Sequence, residues 1–112
     1  MAKVSITISL KEEIFKKFKG LSEKIFLQMK SLEDNPHKGK SLGHVAEIVI
    51  KELKYEKFRF YFITAGHVLK FGTEEELASL LIKFVRMSDK KDQEKKIEEI
   101  KGILKSMGFD AF

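Results

Sequence analysis

A chain of 112 residues with 43% apolar and 35% charged side chains can close a core of its own, so a disordered or fibrous polymer is excluded and one domain over residues 1–112 is the simplest organisation. The absence of cysteine removes disulfides, thiolate metal sites and cysteine nucleophiles. A net charge of +5 favours anionic partners, nucleic acid first and an acidic protein segment second.

The first residues lack the basic-then-apolar pattern of a signal peptide, and no window approaches ~18 uncharged apolar residues, so a cytoplasmic protein is expected. "KVSITIS", Lys3 to Ser9, alternates Val4, Ile6 and Ile8 against hydroxyl residues, the pattern of a half-buried strand. Ser9, with Glu12 three residues on, predicts a capping box at the start of a helix. Leu10, Ile14, Phe18, Leu21, Ile25, Met29 and Leu32 then trace one apolar helical stripe. Gly20 and Ser22 interrupt it, which predicts two antiparallel helices joined by a tight turn, and Asn35, Pro36 and Gly39 end the second.

"VAEIVIKELK" and "KFRFYFITAG", rich in β-branched and aromatic residues, read as strands of a hairpin turning at "YE". "HVLKF" reads as a further strand after a turn at Ala65 and Gly66. Thr73 with Glu76 spells a second capping box; we expect a loop or short helix at Thr73 to Ser79 and a strand from Leu80 to Met87. Asp89 or Asp92 caps a last helix carrying Ile97, Ile100, Ile103, Leu104 and Met107 and ending at Gly108. The order implies an α+β fold: an antiparallel sheet of about four strands, an N-terminal helical hairpin on one face, and a C-terminal helix.

Within "KFRFYFI" the two-residue period places Phe58, Phe60 and Phe62 on one face and Lys57, Arg59 and Tyr61 on the other. The first face suits a core. The second suits an anion, with an ion pair from Arg59 to Glu47 or Glu52 as the structural alternative.

Four stretches together resemble the RelE/ParE toxin superfamily, and within it the RelE and HigB-like toxins of toxin–antitoxin modules. They are "LEDNPHKGKSL" after the helical pair, "KELKYEKFRFYF", "LLIKFVRMSDKKDQ" and the closing "KKIEEIKGIL". The resemblance implies a small sheet with a helical hairpin on one side and a basic concave site on the other. Many members are mRNA interferases that cut messenger RNA, often on the ribosome; the ParE branch inhibits DNA gyrase; some have no demonstrated activity. A cognate antitoxin and messenger RNA are the partners so implied, with no cofactor, no metal and no membrane. Arg59 falls on a family arginine. Lys54 stands where the family has arginine, about ten residues around "GTEEELAS" are additional, and a tyrosine that some members carry after the late strand is missing.

Cleavage by the RNA's own 2′-hydroxyl needs removal of that proton, stabilisation of the charge gathering on phosphorus, and protonation of the leaving 5′-oxygen. Positioned cations can take the second task. The candidates at the family's site are Lys54, Lys57, Arg59 and Arg86 for catalysis, and Tyr61, Lys83, Lys90 and Lys91 for RNA contact. Arg59 is the expected phosphate clamp, because a guanidinium matches phosphate oxygens in a fork. Crowding by other cations would make Lys54 or Lys57 a usable base, and Lys83, Arg86 or Lys90 an acid or a further phosphate contact. Tyr61 is the candidate to stack on a base or place the 2′-hydroxyl. His37, His44 and His67 lack metal-ligand spacing. The alternatives are a gyrase-directed toxin and a catalytically silent RNA- or protein-binding module of the same fold.

Overall fold

The computed structural model describes residues 2–112. Strand β1 (Lys3–Ile6) leads into α1 (Ile8–Phe18), a 3-10 turn (Lys19–Leu21) and α2 (Ser22–Lys30). The chain then runs through β2 (Lys40–Val45), β3 (Ile48–Tyr55), β4 (Phe58–Ala65), the short helices α3 (Gly66–Phe71) and α4 (Glu74–Ala78), β5 (Leu81–Asp89) and α5 (Gln93–Met107). The sheet has five strands in the order β1-β5-β4-β3-β2. All neighbours are antiparallel except β1 and β5, which run parallel because the helical hairpin and three strands separate them in sequence.

The helical pair does fold back on itself. Ser22 Oγ donates to the Ile14 carbonyl at 3.2 Å, and the Phe15 and Phe26 rings meet edge to face with centroids 5.1 Å apart. On a straight helix residues 14 and 22 would stand ~12 Å apart. The reversal is made at Lys19, whose φ is 47°.

Three sequence expectations are corrected. The cap of α1 is Thr7, whose Oγ1 accepts from Leu10 N–H at 3.3 Å, because Thr7 still pairs with the Phe84 carbonyl and the helix starts directly from β1; Ser9 lies inside the helix. "HVLKF" is helix α3, not a strand: the Gly66 N–H turns to the Glu47 carbonyl at 2.8 Å, and over one helical turn Leu69 enters the core while His67 and Lys70 stay outside. The strand expected over "VAEIVIKELK" is divided by a turn at Ala46 and Glu47, so that Val45 closes an edge strand, β2, within the stretch expected to be loop. Ala46 and Glu56 open the two-residue turns on either side of β3 with φ of 52° and 54°.

The period-2 reading of β4 holds for its phenylalanines. Phe60 and Phe62 lie with Ile82, Phe84 and Leu53 against Leu10, Ile14, Ile25, Met29 and Leu32 of the hairpin side. The second face of the sheet is not an open concave surface. Helix α5 lies on it, and Ile100 and Leu104 pack on Ile50, Tyr61, Ile63 and Val85 in a second core. A bulge permits this: Tyr61 pairs with Arg86 and Phe62 with Phe84, leaving Val85 as the extra residue that turns into the α5 core. Met107, expected on the apolar stripe, is 69% exposed.

The cap assignment is testable by equilibrium urea unfolding: Thr7→Ala costs ~1 kcal/mol, whereas Ser9→Ala stays within ~0.5 kcal/mol.

Candidate nucleic-acid interface

Strand register sets out the α5-facing side as rows across the sheet. Lys54, Arg59 and Ser88 form one row at the open end, and Glu52, Tyr61 and Arg86 form the next. Phe58 pairs with Asp89, so the turn residue Lys57 and the loop residue Lys90 follow next in line on neighbouring strands. Lys54, Lys57, Lys90 and Lys91 are all exposed at this rim. Among the described residues none of the four is engaged in an ion pair. Asp89 shares the rim and accepts the Asp92 N–H through Oδ1 at 3.0 Å, the bond that starts α5, while Glu56 and Asp92 are exposed beside Lys57 and Lys91.

Behind the rim Arg59 is 9% exposed. Its Nε lies 3.7 Å from Glu52 Oε2, and its Nη1 donates to the Lys57 carbonyl at 3.1 Å. The ion pair with Glu52, the structural alternative to a phosphate contact, is therefore formed, and the same guanidinium braces the turn that carries Lys57. Gln93 Nε2, from the first turn of α5, donates to Glu52 Oε2 at 3.1 Å. An incoming phosphate must compete with a carboxylate already held from two sides.

Tyr61 does not face a groove. It has no accessible surface, lies under α5, and its hydroxyl is 2.7 Å from Ser88 Oγ. Ser88 has a single hydroxyl proton and places it on the Asp89 carbonyl at 2.8 Å, so the tyrosine donates to the serine. Burial pushes the phenol above its ordinary pKa, and the nearby Arg59 only partly opposes that. A buried, neutral tyrosine of this kind is a packing residue and offers no face to a base.

The two other expected contacts on β5 are engaged by the C-terminal segment. Arg86 Nε pairs with Glu99 Oε1 at 3.2 Å, its Nη1 donates to the Val85 carbonyl, and the Phe112 ring stands 5.3 Å from its Cζ. Burial alone would raise the Glu99 carboxyl, yet its bonds with Arg86 and Lys96 hold it below the usual range. Lys83 Nζ donates to the Phe112 backbone oxygen at 3.2 Å and sits 4.8 Å from the Phe109 ring centroid. The eight candidates thus separate into four exposed rim lysines, Lys54, Lys57, Lys90 and Lys91, with Arg59 buried behind them, and three residues engaged elsewhere, Tyr61 under α5 and the half-buried Lys83 and Arg86 against the C-terminal segment.

The acidic insertion stands apart from the rim. It follows Ala65, at the other end of β4 from Phe58, seven strand steps or on the order of 20 Å away. There Glu74 lines a crevice with Glu33, Asp34 and Pro36. Among the described residues no three His, Asp or Glu side chains converge to hold a metal ion, and no helix is long and apolar enough to cross a membrane. No protein-family model, no curated protein and no solved structure matches the chain. Sequence reading missed Ser88 and Gln93, whose roles exist only once α5 docks; Glu52 was legible from its parity with Lys54 on one strand face.

Tyr61→Phe removes one buried hydrogen bond and costs ~1 kcal/mol. Because the folded-state phenol titrates above its unfolded value of ~10, its contribution is full below that pH and is lost as pH rises through the folded value. Urea midpoints of the wild type therefore fall more steeply above pH ~10 than those of Tyr61→Phe.

Proposed function

We propose that the protein is a RelE-type toxin, a cytoplasmic endoribonuclease that cleaves translated messenger RNA through cations at the rim of its sheet and is neutralised by a cognate antitoxin. The observation that carries this reading is the row Lys54–Arg59–Ser88, with Lys57 and Lys90 next in line, at an end of the sheet where Lys54, Lys57 and Lys90 are exposed and, among the described residues, lack carboxylate partners. The α+β architecture, with a helical hairpin on one face and a C-terminal helix, is also the one the resemblance implies.

In this reading Lys54 and Lys57 contact the scissile phosphate, and Arg59 supports them from below, donating to the phosphate when Glu52 yields. The 2′-oxygen attacks phosphorus as it loses its proton to a rim base. Charge gathers on the non-bridging oxygens, where the cations stabilise it. The bond to the 5′-oxygen breaks as that oxygen takes a proton, leaving a 2′,3′-cyclic phosphate and a free 5′-hydroxyl. Exposed lysines donate as point charges, so the geometry of the contact depends on the rigid turn that Arg59 braces.

A second reading has an observation of its own. The Glu52–Arg59 pair and the covered Tyr61 suit a module that binds RNA or protein without cutting it.

Mapping of RNA ends in a translating extract decides between them. The toxin reading expects cuts by the wild type, and Lys57→Ala lowers the cleavage rate by roughly 10²-fold with an unchanged thermal melt, since the side chain is exposed. Arg59→Ala would strand the buried Glu52 carboxylate, so Arg59 is tested in the neutral pair Glu52→Gln with Arg59→Gln, which also loses cleavage. Absence of cuts with normal growth supports the silent module; absence of cuts with blocked supercoiling supports a gyrase-directed toxin.

A further inference from the structure

A second cluster of cations lies on the opposite side of the sheet. In β3 the residues Val49, Lys51, Leu53 and Tyr55 share the hairpin-facing side, so a lysine occupies a position whose neighbours are core. Lys51 is 5% exposed. Its ammonium donates to the His37 carbonyl at 3.0 Å and lies 5.9 Å from the centroid of the Phe62 ring. Among the described residues no carboxylate pairs with it. One of three N–H donors is thus accounted for, and burial pulls the pKa of the amine below its ordinary value. A buried cation without a counter-charge is costly unless something anionic completes it.

The space beside it has the matching character. Lys51 opens into a cavity of about 260 Å³ whose polar lining is His37, Ser41 and Lys70, over a floor of Val49 and Leu69. No acid lines this cavity. A neighbouring crevice shares Ser41 and Lys70 and adds His44 and His67, so all three histidines of the chain gather here, with Glu47 as the acidic residue of that lining. The walls are fixed by a close approach: Gly39, at φ 103°, would bring a Cβ to 2.9 Å of both the Glu52 carbonyl and Phe62 Cζ, so the loop that offers the His37 carbonyl is pressed onto the sheet. Cations repel a metal ion, and the volume lies below the ~300–1,000 Å³ of drug-sized sites. A compact anion fits both limits.

We propose that Lys51, with Lys70, Ser41 and His37, forms a binding site for a small phosphate-bearing ligand, a phosphate monoester, on the face of the sheet opposite the rim. The ammonium supplies the buried charge, the Ser41 hydroxyl and Lys70 supply further donors at the mouth, and the apolar floor takes whatever short group the phosphate carries. The site is independent of RNA cleavage at the rim.

Isothermal titration of the full-length chain with inorganic phosphate and with a nucleoside monophosphate, at constant ionic strength set by chloride, tests this. The wild type and the rim variant Lys54→Ala with Lys57→Ala give the same saturable binding. Lys51→Met removes it without lowering the melting temperature, and Lys70→Ala weakens it by roughly ten-fold, the loss of one charge-assisted contact. Should Lys51→Met fold poorly, amine labelling of the wild type read by mass spectrometry supplies the same test: phosphate protects Lys51 and leaves Lys54 and Lys57 as reactive as before. No saturable binding by the wild type, equal binding by Lys51→Met, binding lost in the rim variant, or Lys51 labelled equally with and without phosphate overturns the proposal.

Discussion

Phe60, Tyr61, Phe62 and Ile63 are four successive residues of β4 without accessible surface, and alternating side chains can all be buried only if each face of the strand has its own apolar layer. The helical hairpin provides one and α5 the other. At ~1.5–3 kcal/mol for each large side chain taken from water, this two-sided burial is a large part of what holds so small a domain together. Removing α5 would expose Ile50, Ile63 and Val85 and take the Gln93 donor from Glu52, so the helix belongs to the fold and is no detachable appendage.

That constraint decides where polar chemistry is accessible. The centre of the α5-facing surface is sealed, and its polar groups are paired internally: Tyr61 with Ser88, Arg59 and Gln93 with Glu52, Arg86 with Glu99. Two groups of cations outside those pairs lie at the periphery of the sheet. One is the rim at the β3–β4 turn, where Lys54 and Lys57 stand free above Arg59. The other is the cavity under the loop at His37, where Lys51 is buried beside Lys70. The two lie on opposite faces of β3, since Lys51 and Lys54 have opposite parity, so the two proposed anion sites are spatially separate.

Much of this architecture was legible in the chain because period is a strong signal where one face is dry. The helical stripe from Leu10 to Leu32, apart from Leu21, which the 3-10 turn leaves 53% exposed, the β4 alternation and the strand after the Thr73 capping box were all written plainly. "HVLKF" failed because five residues hold too few repeats to separate a strand from one turn of helix. β2 was obscured by Gly43 and a bulge at Leu42, which break alternation. Tyr61 misled for a different reason: its parity correctly placed it opposite the phenylalanines, but parity does not reveal whether the second face meets solvent or another helix. Lys51 was visible as a lysine among Val49, Leu53 and Tyr55, yet only the loop at His37 shows that it is enclosed rather than extended into water.

The central claim is that an anionic RNA strand meets the rim and leaves the sealed centre of the sheet untouched. Titration of the isotopically labelled chain with a short 2′-O-methylated RNA, which binds but offers no 2′-hydroxyl for cleavage, tests it by nuclear magnetic resonance. Shifts should concentrate at Lys54, Lys57, the Arg59 side chain, Lys90 and Lys91, with Tyr61, Lys83 and the α5 core residues Ile100 and Leu104 unmoved. Shifts centred on Tyr61 and α5, or none at the rim at saturating RNA, would contradict it.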